Sequence, residues 1–81
     1  MNNFIIVFRA IKENCNEVGI PNEKCFEVLE KLVMNKQLFL PLYLHLEVLK
    51  GLGLIQFFEP GQRLILTEKG RHTNFYRSRI R

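Results

Sequence analysis

This chain carries little of what a chemically specialised protein needs. It has two cysteines, Cys15 and Cys25, and two histidines, His45 and His72. The cysteine spacing fits no zinc pattern and neither histidine has a second ligand nearby in sequence, so no metal is expected. No Gly-rich phosphate loop, nucleophile elbow or histidine pair at metal spacing occurs, which argues against an enzyme and against a cofactor. No apolar run approaches the ~20 residues that cross a bilayer. The apolar stretch at residues 4–8 is too short for a signal-peptide core, and no basic stretch precedes it. Internal repeats, linkers and Ser, Gly or Pro tracts are also missing. These absences predict a soluble, cytoplasmic protein with no membrane partner. Both thiols are expected on apolar helix faces as small buried hydrophobes, while a disulfide stays open as the alternative.

What is present is enough to build a core. With 81 residues, 47% of them hydrophobic, the chain makes one domain near the lower size at which a fold holds without staples. The net charge of +4 is unevenly spread. Residues 1–61 hold six basic and seven acidic side chains, a net of −1, whereas residues 62–81 hold six basic ones against Glu68 alone, a net of +5. Clustered arginine is the footprint of phosphate contact, because the guanidinium fork matches phosphate oxygens in pairs. A solubilising tail is the plainer alternative.

Periodicity divides the chain into elements. Asn2 or Asn3 can cap a first segment in which Phe4, Phe8, Ile11 and Cys15 recur at helical spacing, although Ile5, Ile6 and Val7 also fit a short strand. Asn22 caps a second helix, with Cys25, Phe26, Leu29, Leu32 and Val33 as its buried stripe. Over residues 38–48 every even position is apolar, the signature of a strand. Pro41 would interrupt a ladder yet suits a helix start, so a helix is expected there. Its stripe is Leu42, Leu46 and Leu49, leaving Tyr43, Leu44, His45, Glu47 and Val48 outward. Gly53 stops this helix. A hairpin follows, its turn carrying Pro60 and Gly61 where a type II turn requires them. Ile55 then lies opposite Leu66 and Phe57 opposite Leu64, with Phe58, Arg63 and Ile65 on the other face. Thr67 caps a last helix along which His72, Phe75, Tyr76 and Ile80 share a side.

The predicted elements are helices over about residues 3–16, 22–35 and 41–52, a hairpin over 54–67 and a basic C-terminal helix or tail over 68–81. This order resembles the winged helix-turn-helix family of small prokaryotic, archaeal and viral regulators. The resemblance implies a mostly helical α+β domain: a three-helix core, a two-stranded wing, a short first strand near Ile20-Pro21 and a short C-terminal helix. It implies double-stranded DNA as partner, a homodimer, and a role as a small transcriptional regulator or accessory factor. Carried over residue by residue, the family's groove-facing positions fall on Tyr43, Leu44, His45, Glu47 and Lys50. Gln62 and Arg63 occupy the wing. The basic side chains Lys69, Arg71, Arg77 and Arg79 are candidates for phosphate.

The sequence departs from that family where bases are read. Guanine readout wants Arg or Lys and adenine readout wants Asn or Gln, yet residues 38–49 contain none of these. Modest sequence selectivity is therefore expected. The alternative is a winged-helix interaction module that docks on protein through Leu44 and Val48, or through Phe58 and Ile65 on the outer wing face.

Overall fold

A computed structural model of the protein describes residues 3–58 and 63–73, with the backbone only at Phe58 and Arg63. The described residues form an α+β domain of four helices and one two-stranded antiparallel hairpin. The helices are α1 (Asn3–Glu13), α2 (Glu23–Met34), α3 (Leu42–Gly51) and α4 (Glu68–Arg71), and the strands are β1 (Ile55–Phe58) and β2 (Arg63–Leu66).

The ambiguous start resolves as helix. Val7, Phe8, Ala10 and Ile11 bury themselves from α1, a spacing that faces one side of a helix and packs it against both α2 and α3. The helix ends at Glu13, short of the expected residue 16. Asn14 folds its side-chain amide back to donate to the Ala10 carbonyl at 2.8 Å. Cys15 leaves the helix and pairs with Pro21 in an isolated antiparallel bridge. It therefore lies beyond the helix face where the sequence predicts it, and the short first strand reduces to this bridge. Asn16 holds the intervening loop shut, its side-chain oxygen accepting from the N–H groups of Val18 and Ile20. The loop is tied to the hairpin where Leu66 N–H donates to the Gly19 carbonyl at 2.8 Å. Gly19 lies at φ +91, and a Cβ there would overlap the Leu66 carbonyl oxygen, so only glycine fits.

Asn22 caps α2 as expected, its side chain accepting from Cys25 N–H at 3.0 Å. Cys25, Leu29 and Leu32 are buried, with Val28 packed beside them. Phe26 and Val33, expected in the stripe, are instead 47% exposed each. They lie about a quarter-turn from the line through residues 25, 29 and 32, because each residue advances roughly 100° around a helix.

Residues 42–51 are helical, so the alternation of leucines from position 38 does not make a strand. Pro41, at φ −54 and ψ 146, stands at the N-cap, where a missing N–H breaks no helical bond. Two helices end in the same device. After α3, Gly53 N–H donates to Lys50 O and Leu54 N–H to Leu49 O, with Gly53 at φ +81. After α2, Lys36 N–H donates to Val33 O and Gln37 N–H to Leu32 O, with Lys36 at φ 55. Both are Schellman closures, which satisfy the last carbonyls through one left-handed residue.

The hairpin has the predicted register, Ile55 opposite Leu66 and Phe57 opposite Leu64. Ile55, Leu64 and Leu66 are buried against Leu49, Leu54 and Ile11 in one core. Each fully buried aliphatic side chain there contributes about 1.5–3 kcal/mol. The predicted turn at 59–62 lies outside the described residues. Thr67 caps α4, accepting from Gly70 N–H at 3.0 Å, while its hydroxyl sits 2.6 Å from the Gly53 carbonyl and 2.9 Å from that of Leu54. One side chain thus joins the end of α3 to the start of α4. α4 stops at Arg71 with His72 as its cap residue, so the single helix expected to continue through His72 ends before it. Phe75, Tyr76 and Ile80 lie outside the described residues. No helix among the described residues is long and apolar enough to cross a membrane.

Candidate functional site

Two surfaces hold the sequence-predicted residues: the outward face of α3 and the edge formed by the end of β2 with α4. On α3, Tyr43 and Leu44 are exposed and Lys50 is exposed with its Nζ 4.9 Å from the centre of the Phe57 ring. That geometry suits a cation held on an aromatic face. Glu47 is half-buried on the same side of the helix.

His45 is not on this surface. It is 1% exposed, inside the core, and the outward placement expected for it is wrong. The cause lies in helical spacing: His45 is three residues after Leu42 and four before Leu49, which puts all three on one face. Its ring packs on Phe4 with centroids 4.9 Å apart, and Nδ1 lies 3.2 Å from the Pro41 carbonyl. The inward stripe of α3 is therefore Leu42, His45, Leu46 and Leu49. That spacing is visible in the sequence.

At the basic edge the described side chains are engaged with the protein's own backbone. Lys69 Nζ donates to the Leu52 carbonyl at 2.9 Å, adding a cation to the C-terminal end of α3. Arg71 donates to the Val18 carbonyl at 3.2 Å and is half-buried. Each keeps further N–H groups for other acceptors, since ammonium carries three and guanidinium five. The backbone of Arg63 pairs with Phe58 at the far end of the hairpin. Gln62, Arg77 and Arg79, and the side chains of Arg63 and Phe58, lie outside what is described. Ile65, expected fully outward, is half-buried.

Several surface residues were missed in the sequence. Phe39, just before α3, is 92% exposed, although Asn3 fixes its position by accepting from its backbone N–H at 2.8 Å. Leu52, which extends the Leu46-Leu49 periodicity in sequence, is 50% exposed because it caps the helix instead of continuing it. Together with Leu44 and Val48 it makes an apolar line at positions 44, 48 and 52, the i, i+4 neighbours of one helix face. The i, i+4 spacing of Leu44, Val48 and Leu52 is itself legible in the sequence.

The two thiols are neighbours. Cys25, buried in the first turn of α2, donates its S–H to the half-buried Cys15. This hydrogen bond holds the Cys15 thiol below its ordinary pKa, against a smaller opposing effect of burial. The same bond pushes Cys25 up, reinforced by burial and by the charge on Cys15. Both are free thiols. Among the described residues no group of three or more His, Cys, Asp or Glu is placed to hold a metal ion. No protein-family model, curated protein or solved structure matches this chain.

Proposed function

We propose that the protein is a winged-helix module that holds double-stranded DNA by its phosphates and reads base sequence only weakly. The helical trio followed by a hairpin and a capped helix is compatible with that architecture. The observation that carries the reading is the separation of charge, −1 over residues 1–61 and +5 over 62–81. Lys69 and Arg71 belong to that basic segment, Lys69 anchored at the end of α3 and Arg71 at the loop between α1 and α2. Phosphate contact needs positive charge held in place and no particular base-reading side chain. The outward face of α3 presents Tyr43, Leu44, Glu47 and Val48, a poor set for bidentate readout. Burial of His45 removes one more hydrogen-bonding group from it.

A fluorescence-anisotropy titration against random-sequence duplex at two salt concentrations tests this. Each phosphate contact contributes a slope of about −0.9 in log affinity against log salt. Arg63→Ala, and removal of residues 77–81, should each flatten that slope and weaken all duplexes alike. An unchanged slope with both changes combined would overturn the charge reading. The second reading is an interaction module with protein as its only partner, favoured by the exposed line of Leu44, Val48 and Leu52. Absence of duplex binding even at low salt would select it.

A further inference from the structure

The chain's two cysteines meet at the junction of α1 and α2. Cys15 follows α1 and stands opposite Pro21 in the antiparallel bridge. Asn22 N–H donates to the Asn14 carbonyl at 3.0 Å and Asn16 N–H to the Ile20 carbonyl at 2.9 Å, one bond on each side of that pair. A pair flanked in this way is the closely spaced kind, with no bond between its own members, so proline's missing N–H costs nothing there. Asn22 then fixes Cys25 twice, since Cys25 N–H donates to its backbone carbonyl at 3.1 Å and to its side-chain oxygen at 3.0 Å. The backbone thus holds both cysteines in place, and the Cys25 S–H reaches the Cys15 sulfur.

The two sulfurs are unequally placed. Cys15 is half-buried, so a small solute can reach it, whereas Cys25 is fully buried. Packing as a small hydrophobe accounts for Cys25. It does not account for a second thiol that is partly open to solvent and hydrogen-bonded to the first.

The geometry points to an oxidation site, at which Cys15 reacts with hydrogen peroxide and Cys25 closes the product to a disulfide across the α1–α2 junction. The Cys15 thiolate attacks one peroxide oxygen and the O–O bond breaks, leaving a sulfenic acid. The departing hydroxide takes up the proton that the Cys15 thiol had released. The Cys25 sulfur then attacks the Cys15 sulfur, the S–O bond breaks, and the Cys25 proton leaves with the hydroxyl as water. Two thiols and one peroxide give one disulfide and two waters. Cys15 is the attacking sulfur because the hydrogen bond from Cys25 favours its thiolate. The disulfide closes a ring over residues 15–25, which includes the Val18 and Gly19 carbonyls that hold Arg71 and Leu66. Oxidation therefore staples the loop that ties the helices to β2 and α4, in a chain near the lower size at which a fold holds without staples. This stands apart from the DNA reading.

Hydrogen peroxide added to the native full chain at micromolar protein concentration tests the proposal. Both free thiols should disappear from a maleimide count, the intact mass should fall by two hydrogens, and peptide mapping should join Cys15 to Cys25. The melting temperature should rise by about 10 °C and fall back on reduction. In a glutathione redox buffer the native chain should favour the disulfide roughly a hundredfold over the urea-unfolded chain, which is the same stabilisation read through a thermodynamic cycle. Cys25→Ala should stop at the sulfenic acid, trapped on Cys15 by dimedone, and gain no stability from peroxide. The redox-buffer measurement needs no variant, so it decides even where Cys25→Ala folds poorly. Oxygen addition at Cys15 with Cys25 still a free thiol overturns the inference. So does a disulfide that joins two chains, or one no more favoured in the native chain than in urea.

Discussion

Gly53→Ala separates the cost of backbone conformation from every other effect. Gly53 closes α3 at φ +81. A Cβ built there would meet only Lys69 Cδ at 3.6 Å and Nζ at 3.8 Å, ordinary van der Waals separations at a flexible side chain. Steric overlap therefore contributes nothing. A left-handed alanine costs roughly 1–2 kcal/mol, and about 0.4–1 kcal/mol returns because alanine restricts the unfolded chain. The expected loss is about 1 kcal/mol, which for a domain of this size lowers Tm by about 4–8 °C. Gly53→Val should lose more, since a branched side chain tolerates positive φ least. Lys36 supplies the mirror experiment, because it occupies the same place in the closure of α2 at φ 55. Lys36→Gly should raise stability by a similar amount. Urea unfolding at constant m value measures both. An alanine variant as stable as wild type, or a Lys36→Gly variant that is weaker, would refute the shared origin of the two helix stops.

Thr67→Val removes the hydroxyl that caps α4 and reaches the Gly53 and Leu54 carbonyls. It should cost about 1–2 kcal/mol, with Thr67→Ser restoring most of the loss in the same unfolding assay. His45→Arg places an unpaired charge in the core and should cost about 3 kcal/mol or more. A thermal melt unchanged by that substitution would return His45 to the surface. In the native protein iodoacetamide should label Cys15 well before Cys25, and at a lower pH than an ordinary thiol, because the lowered pKa populates its thiolate earlier. Cys25→Ala should slow that labelling near neutral pH by removing the donor, and equal labelling of both thiols by mass spectrometry would contradict their pairing.

What the sequence determined by itself was local. Helix stops, caps and strand register follow from residue types acting over a few positions. Asn22 and Thr67 cap because a short oxygen-bearing side chain reaches an N–H three residues on, and Gly53 stops α3 because it accepts positive φ. The hairpin register follows from matching Ile55 and Phe57 to Leu66 and Leu64 on one buried face. Pro41 was enough to turn a run of alternating leucines from strand to helix.

Only the tertiary structure decided which apolar side chains are used inside. Leu44, Val48 and Leu52 differ little in kind from Leu42, Leu46 and Leu49, and a leucine-rich helix does not declare its own rotation. Packing against α1 goes with that rotation: Phe4 meets His45 at a tilt, the histidine faces inward and the second line of apolar residues faces outward. Cys15 leaves its helix for a bridge to nearby Pro21, and the Gly19–Leu66 bond ties that loop to the distant hairpin. Lys69 and Arg71 were legible as charges, but their use as caps for the Leu52 and Val18 carbonyls was not. Those partners lie 17 and 53 residues away along the chain, and local propensity carries no information across such a distance.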